Sequence, residues 1–316
     1  MTNLSVGFLN YLKNIIMAIN SKKLITHNGS FHADDIFACA TLSLVLEKAG
    51  ETFEIIRTRD EEIIKTGDYV FDVGGIYDEE SNKFDHHQNG GAGKREKNSI
   101  EYAACGLVWK KFGPEISGSK KAADVIDERL FAPIDAGDNG FNLVENKYET
   151  SPYLIQYAFY AMRPTWREEN VTDDEMFLKC VEIAKVILSR EIIQVQDILL
   201  AEEAVLSIYK NTEDKKVIIL DRNYPSEYIL HDFPELLYVI YPRSTDNLWA
   251  VKAVRKNLNT FDNRKDFPKT WGGLKDEELQ KITGVADAVF CHRGLFLTVA
   301  KSKEGAIKLA QIAVES

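Results

Sequence analysis

Residues 27–35, HNGSFHADD, put two histidines and two aspartates into nine positions, between a short apolar run at Leu24–Ile25 and a long helical pattern. A strand-to-helix turn needs residues such as Asn28, Gly29 and Ser30. It does not need imidazoles. From Asp34, DDIFACATLSLVLEKAG has helical apolar spacing and stops at Gly50. FEIIRTR reads as the next strand and DEEIIKTG as a short helix. YVFDVGG is a third strand that ends on Asp72 before a glycine pair, and YDEESNKFDHH is a hairpin delivering Asp85, His86 and His87. SIEYAACGLVWKKFG and SKKAADVIDERLFAPI read as helices, the second running into DAGDNG. This alternation predicts an α/β domain with a largely parallel sheet.

Residues 173–206 carry no glycine or proline and repeat apolar residues at three and four, which predicts a long connecting helix. Beyond it, VIIL, LLYVIYP, WAVKAVR and AVFCHRGLFLTVA read as strands, with helices at KDEELQKITG and KEGAIKLAQIAV: a smaller α+β C-terminal domain. The expected organisation is an extension over 1–22, a domain over 23–207 that includes the long helix, and a second domain over 208–316. The stretch NLNTFDNRKDFPKTWGG is the longest without periodicity and reads as a substrate-facing loop.

With 316 residues, 45% hydrophobic and 28% charged, the chain can bury a core without staples. A net charge of -10 excludes holding nucleic acid by a bulk positive field, so a polyanion must be met by a local basic patch or by bound cations. The cysteines Cys39, Cys105, Cys180 and Cys291 form no CxxC and read as buried thiols of a reducing compartment, the cytoplasm or another intracellular one. No apolar run approaches the ~20 residues of a membrane span. Leu4, Phe8, Leu12, Ile15 and Ile16 make a helical apolar stripe. Mitochondrial targeting is one reading of it, poorly matched by the lack of arginine. A start at Met17 is the other.

Four of the six histidines fall between positions 27 and 87, each at a strand end or in the following turn. In open α/β sheets the ligand crevice lies beyond the carboxyl ends of the strands. His27, His32, Asp34, Asp72, Asp85, His86, His87 and Asp138 can therefore converge. A thiolate-free nitrogen and oxygen set suits manganese, iron, zinc or magnesium. Eight candidate groups suggest two divalent cations, with Asp72 as the natural bridge, holding a hydroxide for in-line displacement at phosphorus. Asp34 alone also fits a helix N-terminal carboxylate. Asp35 keeps only that reading, because it points about 100° further round the helix.

THNGSFHADD, FDVGGIYDEESNKFDHHQ, IDAGDNG, WGGLKDEELQKITG and KEGA, in this order, resemble the DHH phosphoesterase superfamily, and more closely its melanocyte-proliferating-gene exonuclease family, from about residue 23 to the end. The resemblance implies that His27 and His32 hold one metal and that Asp34, His86 and Asp138 hold the other, with Asp72 between them. It implies that His87 faces the substrate phosphate and that Asp85 orients a histidine, so Asp72, Asp85 and His87 form the catalytic group. His32 stands where the superfamily usually has an aspartate, which leaves the first metal position less negative. Asp135 competes with Asp138 as the fourth-motif ligand.

The implied activity is a hydrolase, a 3′–5′ exonuclease acting in RNA processing. It would cut single-stranded RNA to nucleoside monophosphates by metal-hydroxide attack, with manganese the first choice of metal. Arg243, Lys252, Arg255, Lys256, His292 and Arg293 can form a phosphate-binding face in the second domain, and Trp271 can stack a base. The alternatives are a phosphohydrolase of small substrates (a short oligonucleotide, a cyclic dinucleotide or pyrophosphate) and a non-catalytic metal-binding protein. The apolar stripe of the long helix allows a homodimer. No membrane partner is expected.

Overall fold

The computed structural model describes residues 21–316. The helical stripe expected at 4–16 lies outside them. The chain divides into two compact units that part between Gln196 and Asp197.

In the first unit, β1 (Lys22–Thr26), β2 (Phe53–Arg57), β3 (Tyr69–Phe71), β4 (Tyr77–Asp78) and β5 (Lys83–Phe84) form a sheet of order β2-β1-β3-β5-β4. β1 pairs in parallel with β2 and β3, and β3 in parallel with β5. Only the edge strand β4 runs antiparallel, as one arm of the expected hairpin. The helices are α1 (Ala33–Ala49), α2 (Glu61–Ile64), α3 (Ala104–Ser117), α4 (Lys120–Ile126), α5 (Ala132–Asp138), α6 (Ile155–Tyr160) and the first part of α7 (Asp173–Asn211), whose residues from Asp197 belong to the second unit. Between Asp35 and Glu47 α1 carries no charge, and Ile36, Phe37, Ala38, Cys39, Ala40 and Leu42 are all fully buried, as a helical stretch without a charged face must be. Gly50 ends it in the left-handed region at φ 72°, where a Cβ would be penalised.

The run expected as one helix over SKKAADVIDERLFAPI is instead α4, a π-helical turn at Asp127–Phe131, and α5, which carries on through Asp138. Trp109 of α3 stacks on Phe131 of that turn, with centroids 4.5 Å apart, and ties the helices together.

The second unit holds β6 (Val217–Ile219), β7 (Tyr238–Pro242), β8 (Trp249–Ala253), β9 (Ala288–Cys291) and β10 (Leu297–Ala300) in the order β6-β7-β8-β10-β9, antiparallel except for β6–β7. Its helices are α8 (Glu227–Leu230), α9 (Asp276–Thr283) and α10 (Lys303–Glu315). AVFCHRGLFLTVA is not one strand but the β9–β10 hairpin, because the chain reverses between His292 and Leu295, which sits at φ 57°. α10 buries Ala306, Leu309, Ala310 and Ala313 in the cluster that holds Tyr238, Ile240, Val251 and Ala253. The long helix runs continuously for 39 residues, beyond the expected end at 206. No helix among the described residues is long and apolar enough to cross a membrane.

Candidate metal centre

The site forms where β1 and β3 end. Thr26 closes β1, and the next residue, His27, is 3% exposed with its Nδ1 against the Asn28 carbonyl at 3.1 Å. β3 closes at Phe71, and Asp72 follows at φ 55°, a left-handed backbone that a non-glycine residue adopts at a cost. This conformation turns the Asp72 carboxylate between two histidines. Its Oδ2 lies 3.2 Å from His27 Nε2, and its Oδ1 lies 3.5 Å from His86 Nε2.

Two donor sets among the described residues stand out, and Asp72 also joins His86 and His87 in a third that links them. His27, His32 and Asp72 can each offer a ligand atom within 4.8 Å of the others, and so can Asp34, His86 and Asp138. His86 Nε2 stands 3.3 Å from Asp138 Oδ2 and 3.9 Å from Asp34 Oδ2. Asp34 is fixed from behind. Its two oxygens accept the Ala104 and Cys105 amides at 3.1 and 2.6 Å, the first turn of α3, where the helix dipole favours an anion.

Asp85, 1% exposed, acts as a clamp. Its Oδ1 accepts the His86 and His87 amides and binds His87 Nδ1 at 2.8 Å, while its Oδ2 accepts the Gly75 amide at 2.6 Å. The His87 side chain itself is 62% exposed and lines the pocket of about 340 Å³ that also contains His27, His32, Asp72 and Asp138.

Two residues change places relative to the sequence reading. Asp35 does point round the helix from Asp34, but that turn aims it into the site. It is fully buried, its Oδ1 accepts the His32 amide at 2.8 Å, and its Oδ2 lies 3.3 Å from His27 Nε2. The signal was available: a carboxylate three residues after an N-cap position folds back on the cap. Asp135 turns away from the site. It pairs with Arg95 at 2.8 Å and accepts the Gly106 amide and the Cys105 thiol, so Asp138 alone of the two faces His86. Arg59, which sequence reasoning passed over, is an exposed cation lining the metal pocket.

The charges on these groups are interlocked. Burial pushes Asp34 well above the usual carboxylate range and lifts Asp35 to about 7, with the Asp72 charge adding to both. Burial works against ionisation of Asp72 as well, but His27 and His86 outweigh it and hold that carboxyl well below its ordinary value. Burial disfavours the charge on His86, yet Asp138 and Asp72 push it up to about 11. His27 is raised in the same way against burial, by Asp72 and Asp35, while burial lowers His32. The cluster thus favours a proton on His86 and an ionised Asp72, while burial works against charge on Asp34 and Asp35. It is built to take positive charge.

The residues present fit divalent cations. Asp72 Oδ1, Asp35 Oδ2 and His86 Nε2 are buried with no hydrogen-bond partner among the described residues, an expensive state unless something else binds them. Separations of 3.2–3.5 Å around Asp72 suit atoms sharing one cation, whose ligands at about 2.1 Å stand roughly 3 Å apart. An oxygen and imidazole set free of thiolate is the chemistry of manganese, magnesium, iron or zinc.

The basic residues proposed for the second unit do not form one face. Arg243 precedes β8 across the sheet and pairs with Asp246 at 3.0 Å, whereas Arg255, His292 and Arg293 lie near the opposite end of that strand. Lys252 pairs closely with Glu227, the Arg255 guanidinium lies over the Phe261 ring, and the exposed Lys256 bonds through its amide to Asp262. Trp271 cannot stack a base, because it is 3% exposed and packed on Phe267 in the core.

The family model MYG1_exonuc, described as an uncharacterised protein family (UPF0160), matches residues 23–314. The chain is 28% identical to mouse MYG1 exonuclease over 325 residues, covering 90% of this chain and 83% of that one. It is 28% identical to the MYG1 protein of Dictyostelium discoideum, covering 91% and 94% of the two chains, and 27% identical to MYG1 protein C694.04c of Schizosaccharomyces pombe, covering 94% and 98%. Among solved structures, RecJ in complex with Mn2+ from Thermus thermophilus aligns at 11% identity and a TM-score of 0.27, over 96% of this chain and 54% of that one, a likeness too slight to carry an argument. With the model matching almost end to end, this chain belongs to the MYG1_exonuc family.

Proposed function

We propose that this chain is a metal-dependent phosphodiesterase, a 3′–5′ exonuclease that shortens single-stranded RNA to nucleoside monophosphates using two divalent cations, manganese first among them. The observation that carries the reading is Asp72, with one oxygen turned to each of two donor sets. His27, His32 and Asp72 would hold one cation, with Asp35 Oδ2 beside them on the same Nε2 side of His27. Asp34, His86, Asp138 and the other oxygen of Asp72 would hold the second. When bound, such a pair lowers the pKa of water and neutralises charge at a phosphoryl group. The printed name of the mouse relative, an exonuclease, agrees with this reaction class.

The chain's own residues supply the rest. Asp85 binds Nδ1 of His87, so the other nitrogen of this exposed, pocket-lining ring can donate to a phosphoryl oxygen as negative charge develops. The bond to Asp85, first among the causes, raises the His87 pKa above its ordinary value and so favours the protonated ring. Arg59 on the pocket rim neutralises an incoming phosphate, which a chain of net charge -10 must do locally. The choice of RNA rests on the family resemblance.

The test uses 5′-labelled and 3′-labelled single-stranded RNA with manganese and an Asp72→Ala control. Immediate release of the 3′ label as a mononucleotide, stepwise shortening of the 5′-labelled strand and a dead control are the expected results. Turnover of a linear dinucleotide or pyrophosphate with both RNAs untouched would move the site to small substrates. Inactivity on all of them, with one cation bound, would make the chain a metal-binding protein.

A further inference from the structure

Three tyrosines line up beside the metal centre without any role in it. The His32 ring meets Tyr160 with centroids 6.4 Å apart, Tyr160 meets Tyr157 at 6.2 Å, and Tyr157 meets Tyr153 at 5.8 Å. All belong to the first unit and lie on α6 or just before it. Aromatic rings in a folded chain normally go inside, yet exposure here climbs outward from 38% at Tyr160 to 44% at Tyr157 and 72% at Tyr153. Tyr157 and Tyr160 also line a cleft of about 640 Å³ that Phe141 and Leu143, both more than 40% exposed, complete. A contiguous exposed apolar patch of this kind marks a binding surface.

The row is held in place. The Tyr153 hydroxyl donates to the Tyr157 carbonyl at 3.0 Å, and the Arg163 guanidinium lies 4.2 Å from the Tyr160 ring centroid while its Nε donates to the Phe31 carbonyl at 2.8 Å. Arg163 thus joins the inner end of the row to the turn that carries His32. Tyr157 and Tyr160 are thus held on α6, and Tyr153, in the segment before it, is tied to the helix by its hydroxyl.

We propose that Tyr160, Tyr157 and Tyr153 form a stacking track for successive bases of a single-stranded nucleic acid whose scissile phosphate lies at the metal centre. This rests on the phosphodiesterase reading above. The occupant follows from continuity: whatever places a phosphodiester beside His32 must run its neighbouring units past Tyr160, and in a polynucleotide those units carry flat apolar rings. None of the patch residues carries a charge, so the track reads ring faces rather than sequence, as single-strand binders do. Arg163, at its inner end, is placed to meet the phosphate nearest the centre.

The test is fluorescence anisotropy with a hydrolysis-resistant phosphorothioate pentanucleotide, and with the same strand lacking bases at its inner positions. Tyr153→Ala and Tyr157→Ala each weaken binding of the complete strand by about 5- to 150-fold, the range for loss of one base–aromatic stack. The base-free strand is bound equally by the variants and the wild type, and Tyr153→Phe, which keeps the ring but not the hydroxyl bond, binds the complete strand more tightly than Tyr153→Ala. Unchanged binding by both alanine variants, or an equal loss on the base-free strand, overturns the track. A fall in molecular mass by sedimentation for Tyr153→Ala would also overturn it, by making the patch an interface between copies. Failure of the track alone shows as wild-type RNA cleavage with ring variants that bind normally. If the wild type ignores every oligonucleotide while turning over small phosphates, the nuclease reading falls and the track falls with it.

Discussion

Asp85 holds His87 by its Nδ1 at 2.8 Å and gathers the amides of both His86 and His87 on the same oxygen. One carboxylate therefore sets the backbone and a ring orientation of the Asp-His-His motif together. His87→Ala is expected to lower the hydrolysis rate by about 10²–10³, the usual loss for one donor to developing charge. Asp85→Asn is expected to lose about 10–100-fold by releasing the ring. Because Asp85 acts in part through the His87 ring, the double variant loses less than the two single losses combined. Single-turnover rates for the four proteins check this, and additive losses would mean that Asp85 does not work through His87.

The metal-free protein should become less stable as the pH rises from 5 to 8. His86 titrates at about 11 and Asp35 at about 7 when folded, against ordinary values of about 6.5 and 4. The folded chain therefore binds more protons than the unfolded one across this window, and stability falls as pH rises. The His86 share is complete below about 6.5 and lost toward about 11; the Asp35 share is complete below about 4 and lost through about 7. Asp72 and His32 have the opposite sign, but both Asp72 values lie below the window and the single lowered histidine is outnumbered by the raised groups. Thermal midpoints with chelator should fall over this range, whereas saturating manganese should flatten the trend. A midpoint that climbs in chelator would refute the assignment.

Arg95 is expected to be a stability residue. It is 6% exposed, makes two bonds of 2.7 Å to Asp127, and is 2.8 Å from the fully buried Asp135. Arg95→Ala leaves the Asp135 carboxylate buried without its partner, a loss of about 3–5 kcal/mol. Urea unfolding of Arg95→Ala beside Arg95→Ala/Asp135→Leu reads this, since removing the stranded acid should restore part of the midpoint. The same contact forbids a side chain at Gly106, where a Cβ would fall 1.8 Å from an Asp135 oxygen.

All four cysteines are free and fully buried, and burial raises the Cys180 and Cys291 thiols to about 11. Since the thiolate is the reactive species, a thiol reagent at pH 8 should label none of them before unfolding and all four in denaturant. Rapid labelling of the native protein would contradict the packing around α1 and α3, which carry Cys39 and Cys105.

What the sequence made legible was local. Strand ends, the β4–β5 hairpin and the long helix follow from periodicity and turn residues, and the strand-end rule brings His27, Asp72 and His86 to one place. What it hid depended on packing or backbone reversal. Asp35 needed the capping geometry of His32, and Trp271 needed the neighbours that bury it. The β9–β10 turn was masked because every residue around Gly294 also suits a strand. The tyrosine row was invisible as a motif, since Tyr153, Tyr157 and Tyr160 at spacings of four and three read as an ordinary helix face.

Asp34 meets the first turn of α3, more than a hundred residues separate His27 from Asp138, and each donor set draws on distant segments. On a growing chain the early members are therefore synthesised long before the residues that complete them. Until α3 and α5 emerge from the ribosome, His27, Asp34 and Asp72 are an open, partly charged edge without a finished pocket. The Asp34, His86 and Asp138 set therefore closes late in the synthesis of this unit, whereas the His27, His32 and Asp72 set is complete in sequence by residue 72.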